Sequence, residues 1–347
     1  MRSSLVRPVR QRRWGTSVLV CMLTLGLAGC GAGGQESANE NGSNANPTHK
    51  LSILETTPGF FDVPIYGMIN DGFAERNGLT LEKAEFFSGS GSSSQIFAGG
   101  SGDVLFGGLN APAELMQSKA LDVSVFGTLM QRGVFKLVSK QGSNIRTLQD
   151  LKGKTVGISG PGSFNDAALR DALKKGGVDP EDVKIAALGG TPQQYAALLA
   201  GRADAVQLQS PTLETAMAKG ELQDIFDFRQ ELTPGLVFVA RTERIKKDPA
   251  AYEAFIRAYT QVIQKMQSDP TYAKDLAKRA WGSTSSAEDI DAQLKVYLSD
   301  PGIWATDGKF TQEQYNNGRN TLINSGLYEA EGFPSFADLT AASPTSK

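Results

Sequence analysis

Three segments rich in glycine and hydroxyl residues have the composition of a binding site for a small anionic or polar solute. They are GSGSSSQ from Gly89, PGSFND from Pro161 and GGTPQQ from Gly189. Each precedes a predicted helix, whose first turn leaves backbone amides unpaired and carries about half a positive charge. Helix starts of this kind bind anions, and the hydroxyl groups add further donors. Helix capping is the alternative interpretation, because serine and threonine are also common N-caps.

Aromatic residues in turn-rich loops add a second kind of contact. Phe60, Phe61 and Phe164 have little structural reason to be there, so we expect them to stack on or enclose an organic solute. The alternative is that they plug an interface between lobes. Arg132 is placed to meet an anionic group, unless it is a solvated surface charge. The predicted ligand-binding residues are Phe60, Phe61, Ser90, Ser92, Asn110, Arg132, Ser163, Phe164, Thr191 and Gln209.

The residues needed for most kinds of catalysis are scarce. The only cysteines, Cys21 and Cys30, lie near the start of the chain, and the only histidine, His49, is assigned to a polar tether. This excludes Cys–His and Ser–His–Asp catalysis, thiolate or imidazole zinc sites and disulfides from the predicted folded part. Asp103 and Asp204 are paired carboxylates of the kind that glycoside hydrolysis uses, but each follows a glycine stop and is expected to be a turn residue. We therefore expect no enzyme, no cofactor and no metal site.

Short strands and helices alternate along the chain. Leu51–Glu55 and Leu79–Phe87 predict strands, and the apolar spacing from Ile65 to Phe73 predicts a helix between them. This order implies a parallel α/β sheet. Ligands bind beyond the carboxyl ends of such strands, where loops enter helices. The loops that qualify are Pro58–Asp62, Gly89–Ser93, Gly160–Asn165 and Gly189–Thr191.

One αβ unit occurs twice at a constant offset of 101 residues. SGSGSSSQIFAGGSGDV starts at Ser88, and GGTPQQYAALLAGRADA starts at Gly189. The matched positions are Gly89 with Gly190, Ser90 with Thr191, Gly100 with Gly201, and Asp103 with Asp204. The repeat favours two lobes of similar construction, with chance similarity of two glycine-rich units as the alternative.

Two apolar runs are suited to strands that pass between the lobes. Gly133–Lys140 lies between the repeat copies and Gly235–Thr242 follows the second copy, so they predict the outward crossing and the return. The chain from about Asp248 has a helical pattern that we expect to cover the first lobe. Tyr259 and Trp281 in this part are expected to belong to the core rather than to contact ligand.

The first thirty residues have the organisation of an export signal. Five arginines without acids precede an apolar run, Val18–Ala28, which is well short of the roughly 20 residues that span a bilayer. Leu27-Ala28-Gly29-Cys30 resembles the bacterial lipobox, in which the cysteine is lipidated and becomes the first mature residue. Ordinary cleavage with Cys30 incidental is the alternative, and both Sec and twin-arginine export stay open. The polar segment that follows predicts a flexible tether.

Charge disfavours nucleic acid as a partner. The whole chain has a formal charge of −2, and loss of the signal leaves 30 basic and 37 acidic residues, a charge of −7. Binding to nucleic acid or to an anionic membrane surface would favour a basic stripe instead.

Several motifs resemble the solute-binding lipoproteins of ABC importers, in the nitrate/sulfonate/taurine group that also includes pyrimidine-precursor binders. They are GFAERNGLTL, AGGSGDVLFG, TLQDLKGKTVGIS, GGVDPEDV and LLAGRADAV. The resemblance implies a type II periplasmic binding protein, with two α/β lobes that close over a small solute. One departure is Ser210 before Pro211, where many relatives have an acidic residue.

Residues and resemblance together give one set of expectations. The fold class is α/β, with two lobes joined by two crossing strands and the C-terminal helices packed on lobe 1. The predicted division is a signal peptide (1–29), the lipidated Cys30 and tether (30–49), lobe 1 (50–136 and 238–342) and lobe 2 (137–237).

The expected function is extracytoplasmic capture of a small solute for a membrane permease and, through it, an ATPase. The solute is an anion such as a sulfonate or nitrate, or a small aromatic precursor. The chain is expected to be a monomer held at the bilayer by Cys30, with no nucleic acid partner. The alternatives are a sensory lipoprotein that presents its solute to a receptor, and an extracellular enzyme that uses carboxylates.

Overall fold

The computed structural model describes residues 49–54, 59–83, 90–230, 232–281, 286–299 and 302–344, with only the backbone of 90–92. The predicted signal peptide, the lipidation of Cys30 and the tether up to residue 48 lie outside the described residues.

Ten strands form two five-stranded mixed sheets among these residues. The strands are β1 (His49–Leu54), β2 (Leu79–Lys83), β3 (Val104–Gly107), β4 (Val123–Met130), β5 (Lys136–Lys140), β6 (Thr155–Ile158), β7 (Lys184–Ala187), β8 (Ala205–Leu208), β9 (Leu222–Asp227) and β10 (Leu236–Arg241). The first sheet has the order β2-β1-β3-β10-β4, and the second has the order β7-β6-β8-β5-β9. In each sheet the first three strands are parallel, and the fourth runs antiparallel to both of its neighbours.

Thirteen α-helices connect or cover the strands in the described part of the chain. They are α1 (Val63–Asn70), α2 (Phe73–Arg76), α3 (Ser90–Ala98), α4 (Asn110–Gln117), α5 (Phe164–Lys175), α6 (Thr191–Leu199), α7 (Thr212–Ala218), α8 (Thr242–Lys247), α9 (Pro249–Ser268), α10 (Pro270–Trp281), α11 (Ala287–Tyr297), α12 (Gln312–Ser325) and α13 (Phe336–Leu339). None of the helices in this part combines the length and the apolar character that crossing a bilayer would need.

The sequence repeat is also a structural repeat. Helices α3 and α6, and strands β3 and β8, begin and end at positions 101 residues apart. The aspartate of each copy lies in a bend just before the strand and makes the same kind of hydrogen bond. Asp103 accepts from the Ser52 amide (2.9 Å), and Asp204 accepts from the Thr155 amide (2.8 Å). Both carboxylates fasten the start of one strand to its parallel neighbour, at the amino ends. The prediction that they are turn residues is confirmed.

The chain passes between the sheets twice. Residues 131–135 connect β4 to β5, and residues 228–235 connect β9 to β10. Both connections leave the carboxyl end of a strand, so the carboxyl edges of the two sheets face the same crossing region. The first turns of α1, α3, α5, α6 and α7 therefore face one cleft. The predicted lobe boundaries stay a prediction.

Aromatic side chains dominate the core of the first sheet. The Phe238 ring contacts the rings of Phe126, Phe255 and Tyr259 at centroid distances of 5.0 to 5.8 Å. Helix α9 supplies Phe255 and Tyr259 from one buried face. Tyr259 is fully buried and its hydroxyl donates to the Leu129 carbonyl (2.9 Å), as expected of a core residue. Trp281 is half-buried beside the same core.

The later helices contact both lobes. Helices α9 and α10 pack on α1 of the first lobe, as predicted. Helices α11 and α12 also contact α7 and α5 of the second lobe. Thr215 Oγ1 donates to Asp289 Oδ1 (2.9 Å) at one of these contacts, and Lys174 Nζ donates to the Asn324 carbonyl (2.8 Å) at the other. Two flanks of the cleft are thus bridged by the C-terminal helices.

His49 requires a correction. It was predicted to end the tether, but it is the first residue of β1, and its Nδ1 lies 2.7 Å from Asp248 Oδ2. The strand extends this far because the parallel ladder with β2 continues to the pair His49 and Leu79. The described fold therefore contains one histidine. It lies at the amino end of β1, opposite the cleft edge of the sheet.

Candidate functional site

Three of the predicted helix starts lie where the sequence placed them. Helices α3, α5 and α6 begin at Ser90, Phe164 and Thr191. The side chains of Ser90 and Ser92 lie outside the described residues. Since each helix follows the carboxyl end of a strand, the first-turn amides are directed to the cleft side of each sheet.

The two hydroxyl residues that are described have different surroundings. Ser163 Oγ donates to the Gly160 carbonyl (2.7 Å) and accepts from the Asp166 amide (3.3 Å), so it caps α5. Thr191 is 8% exposed at the start of α6, and this helix has no side-chain cap. Capping accounts for Ser163, whereas the first-turn amides of α6 have no side-chain acceptor from an N-cap.

Phe164 and Asn110 lie where the lobes touch. The Phe164 ring packs against a cluster of the first lobe. A Cβ added to Gly108 would lie 3.0 Å from Phe164 Cβ and 2.7 Å from Asn110 Oδ1, so only glycine permits this close approach. Asn110 is buried and its side chain hydrogen-bonds with Tyr328. This arrangement fits the alternative interpretation of Phe164, in which the ring fills the interface between the lobes.

Phe60 belongs to a buried aromatic group that also contains Tyr297 and Trp304. The Phe60 ring is stacked on Trp304 (5.8 Å, 17°) and meets Tyr297 edge-on (5.2 Å, 62°). Trp304 Nε1 donates to the Phe61 carbonyl (3.1 Å), which ties the loop before α1 to the segment after α11. Phe61 is itself 8% exposed. All of these rings are part of the core cluster of the first lobe.

Arg132 joins the two crossing segments. Its Nη1 donates to the Gln230 carbonyl (2.7 Å) and to the Arg229 carbonyl (3.3 Å). Its buried Nε has no hydrogen-bond partner in the described structure. Backbone carbonyls therefore engage Nη1 of the guanidinium, and the buried Nε is a donor that a ligand could use.

A polar cluster that sequence reasoning missed lies at the meeting point of both lobes. We name Asp62, Ser210, Glu214, Arg229 and Tyr297 the acidic junction. Burial raises the pKa of Glu214, although the Ser210 hydroxyl and the charge of Arg229 act in the opposite direction. Burial also raises the pKa of Tyr297, reinforced by the charges of Glu214 and Asp62, and the Ser210 hydroxyl hydrogen-bonds with Tyr297. The cluster thus draws on the β1–α1 loop, α7, α11 and the second crossing segment.

Charged groups beside the acidic junction form a network. Arg229 binds Asp227 with two hydrogen bonds of 2.8 Å and lies 3.5 Å from Glu214 Oε1. Lys136 binds Asp224 (2.5 Å) and lies 3.6 Å from Asp227. Burial alone would raise the pKa of Asp227, but the hydrogen bonds and charge of Arg229 outweigh it, and the pKa is lowered.

Glutamines at the end of β8 complete the cleft wall. Gln209 is half-buried and its carbonyl accepts from the Leu213 amide (3.1 Å), which starts α7. Gln207 is fully buried; its Nε2 donates to the Asn165 carbonyl (3.1 Å), and its Oε1 has no partner among the described residues. Only Gln209 was among the predicted binding residues.

A signal for Glu214 was present in the sequence. The residue before Pro211 is serine where an acid was expected, and Glu214 follows it in the first turn of α7. The structure places the Glu214 carboxylate beside Ser210. The acidic group on this side of the cleft therefore comes from position 214 instead of position 210. Within the described ranges no group of His, Cys, Asp and Glu side chains could hold a metal ion.

Comparisons with known proteins agree with this architecture. The family model described as NMT1/THI5 like matches residues 63–273. A protein named 4-amino-5-hydroxymethyl-2-methylpyrimidine phosphate synthase, from Schizosaccharomyces pombe, is 27% identical over 73% of this chain and 77% of its own length. A protein named as an ABC transporter periplasmic binding protein, from Brachyspira hyodysenteriae, is 26% identical over 80% of this chain and 82% of its own length.

Solved structures show the same fold. The periplasmic aliphatic sulphonate-binding protein SsuA from Escherichia coli superposes with a TM-score of 0.67, at 18% identity, over 84% of this chain and 96% of its own. The nitrate-binding protein NrtA from Synechocystis superposes with a TM-score of 0.62, at 15% identity, over 83% of this chain and 84% of its own. The fold is therefore that of the periplasmic binding proteins, as predicted.

Proposed function

Because the chain belongs to the NMT1/THI5-like family, we propose that it is the solute-binding component of an ABC importer, which captures a small solute between its lobes and delivers it to a membrane permease. The main observation that supports this proposal is the acidic junction, where buried polar side chains from both lobes meet at the carboxyl edges of the two sheets. Relatives named as binding proteins support the same role.

Closure of the lobes is the mechanism that this geometry suits. The crossing segments, residues 131–135 and 228–235, are the connections that a change in lobe angle must bend. A solute that contacts both lobes binds the closed state more tightly than the open state, so it shifts the population towards closure. The closed surface is then what a permease recognises, and no bond is made or broken.

An enzymatic role is the second candidate, since one relative is named as a synthase. His49, the histidine of the described fold, is paired with Asp248 at the amino end of β1 and so lies away from the cleft. Chemical change of a bound solute during incubation with the purified protein would establish this role.

Anchoring through Cys30 is part of the proposal. The basic stretch, the short apolar run and the Leu27-Ala28-Gly29-Cys30 motif support export followed by lipidation. Replacement Cys30→Ala should move the protein from the membrane fraction to the soluble fraction and abolish incorporation of labelled fatty acid. Retention in the membrane fraction with the label absent would mean that another element anchors it.

The direct test of solute binding is native mass spectrometry of protein purified without denaturation, followed by a melting series. The panel contains sulfonates, nitrate, carboxylates and pyrimidines. A ligand at about 100 times its dissociation constant adds roughly 2.7 kcal/mol to the free energy of unfolding, which a melting curve resolves. Absence of any bound mass and of any melting shift would contradict the proposed function.

A further inference from the structure

The cations near the cleft are already engaged by protein acceptors. Arg229 makes a two-bond pair with Asp227, and Lys136 is bound to Asp224. Arg132 donates to two backbone carbonyls. A carboxylate that is paired in this way lowers the charge that its cation offers to a third group. An anionic solute would therefore have to compete with existing partners for Arg229 and Lys136, whereas the buried Nε of Arg132 has no partner in the described structure.

Two acceptors near the cleft accept no well-aligned hydrogen bond from the described residues. The Glu214 side chain is only 15% exposed, with Arg229 Nη1 3.5 Å from its Oε1 and the Ser210 hydroxyl beside it, but neither carboxylate oxygen accepts a well-aligned hydrogen bond from the described residues. The Oε1 of the fully buried Gln207 is in the same condition. A buried acceptor without a donor costs about 1–3 kcal/mol, and more when it is charged. These atoms are thus suited to a solute that brings its own donors.

A buried amide on α11 gives a second, independent observation. Gln293 is fully buried, and neither its Nε2 nor its Oε1 has a partner within the described structure. It lies one helical turn from Asp289, which bonds Thr215 of α7, and one turn from Tyr297 of the acidic junction. Residues four apart share a helix face, so Gln293 lies on the face of α11 that meets α7.

One of the three helix starts already has its anion. The Asp166 carboxylate lies in the first turn of α5, is 1% exposed, and accepts from the Gly162 amide (3.0 Å) and from Arg170 Nε (2.9 Å). This carboxylate occupies the position at which a helix N-terminus would bind an anionic ligand. It weakens the expectation, drawn from composition, that the solute is an anion.

We propose that the solute carries a positive charge or a group of N–H donors, and that Glu214 is the residue that recognises this head group at the acidic junction. The inference rests on the proposed binding function and specifies the class of solute for the same cleft. Binding therefore depends on the charge of the head group, and Glu214 selects a positive or N–H-donating group.

The test uses three probes that share one ring and differ in the charge of the head group: benzamidine, which is cationic, benzamide, which is neutral, and benzenesulfonate, which is anionic. Dissociation constants are measured by calorimetry for the wild type, for Glu214→Gln, and for Glu181→Gln as a matched control. Glu181 is in the same lobe with 85% of its side chain exposed.

Benzamidine should bind the wild type and Glu181→Gln at least tenfold more tightly than benzenesulfonate does. In Glu214→Gln its affinity should fall at least tenfold, and the preference for benzamidine over benzamide should be lost. If this variant does not fold, Glu214→Asp, which retains the charge on a shorter side chain, should keep the preference for benzamidine with a weaker affinity.

Three other results overturn the inference and are distinguishable. Tighter binding of benzenesulfonate than of benzamidine contradicts it while the proposed binding function stands. Absence of binding by all three probes, in protein with no co-purified mass, contradicts both. Equal loss of benzamidine affinity in Glu214→Gln and Glu181→Gln would remove Glu214 from the recognition of the head group.

Discussion

The two sheets share one strand order, yet their surroundings differ. In the first lobe a group of aromatic rings around Phe238 is buried under α9. In the second lobe two aliphatic clusters lie on either face of the sheet, and its described aromatic pair, Phe226 and Phe228, is only partly buried at the edge. The second lobe instead carries the charged network of Arg229, Asp227 and Lys136. The same topology thus places most of the apolar burial in one lobe and most of the cleft charge in the other.

The largest test of this comparison is a pair of core truncations. Phe238→Ala removes a fully buried ring from the aromatic group, and Leu169→Ala removes a fully buried side chain from the second lobe. We expect the free energy of unfolding to fall by about 3–5 kcal/mol for the first and about 2–4 kcal/mol for the second, since the ring leaves the larger cavity. Chemical denaturation measures both values. A larger loss for Leu169→Ala would contradict the view that the first lobe has the greater packing energy.

A smaller effect is expected in the pH dependence of stability, in which the carboxylates of Asp227 and Glu214 should differ. The pKa of Asp227 is lowered below 3.8, so its contribution to stability is present above that pH and is lost as the pH falls through the folded value. The pKa of Glu214 is raised above 4.5, so its contribution is present below that pH and is lost as the pH rises through the folded value. Asp227→Asn should therefore cost about 1–3 kcal/mol near neutral pH and less in acid.

The expected behaviour of Glu214→Gln has the opposite sign. Its stability relative to the wild type should increase as the pH rises from 4.5 towards neutral, because the variant has no buried carboxylate to ionise. Denaturation of both variants and the wild type between pH 3 and pH 7 checks the pair. Parallel pH profiles for the two variants would show that the carboxylates do not differ in environment.

The sequence predicted the fold better than the site, for a physical reason. Periodicity and the 101-residue repeat are local patterns: the first located β1 to within two residues, and the second paired α3 with α6 and β3 with β8. Glycine and serine at helix starts are also local, and the positions of Phe164 and Thr191 followed from them. Glu214 meets Tyr297 only through tertiary packing, 83 residues apart in the chain. No spacing rule predicts such a pair.

Overlapping roles account for the remaining differences. A serine at a helix start is both a cap and a donor, and only the bond from Ser163 to the Gly160 carbonyl shows the first role. An arginine before a crossing segment is equally suited to an anion or to backbone carbonyls, and Arg132 has the carbonyls. Composition does not show whether a donor is already engaged by the protein, so the sign of the solute charge stays a prediction.

The smallest expected effect concerns the bridge between the lobes at α5. The Tyr328 hydroxyl lies 2.5 Å from Glu114 Oε1 and 2.9 Å from the Gly162 carbonyl, which belongs to the loop before α5. Tyr315 is the matched control, because its hydroxyl donates to the Pro334 carbonyl (2.8 Å) without crossing the cleft. Each replacement by phenylalanine removes one hydroxyl and should lower the free energy of unfolding by about 0.5–1.5 kcal/mol.

Solute affinity distinguishes the two tyrosines. The Tyr328 hydroxyl bonds the Gly162 carbonyl between the lobes, so we expect its loss to shift the equilibrium towards the open state and to weaken binding by up to about tenfold. Tyr315→Phe leaves that equilibrium unchanged and should bind solute as the wild type does. Calorimetric titration of both variants with the identified solute provides the measurement. Equal affinities for Tyr328→Phe and Tyr315→Phe would mean that the contact at α5 persists in the open state, and that α7 with α11 forms the flank that opens.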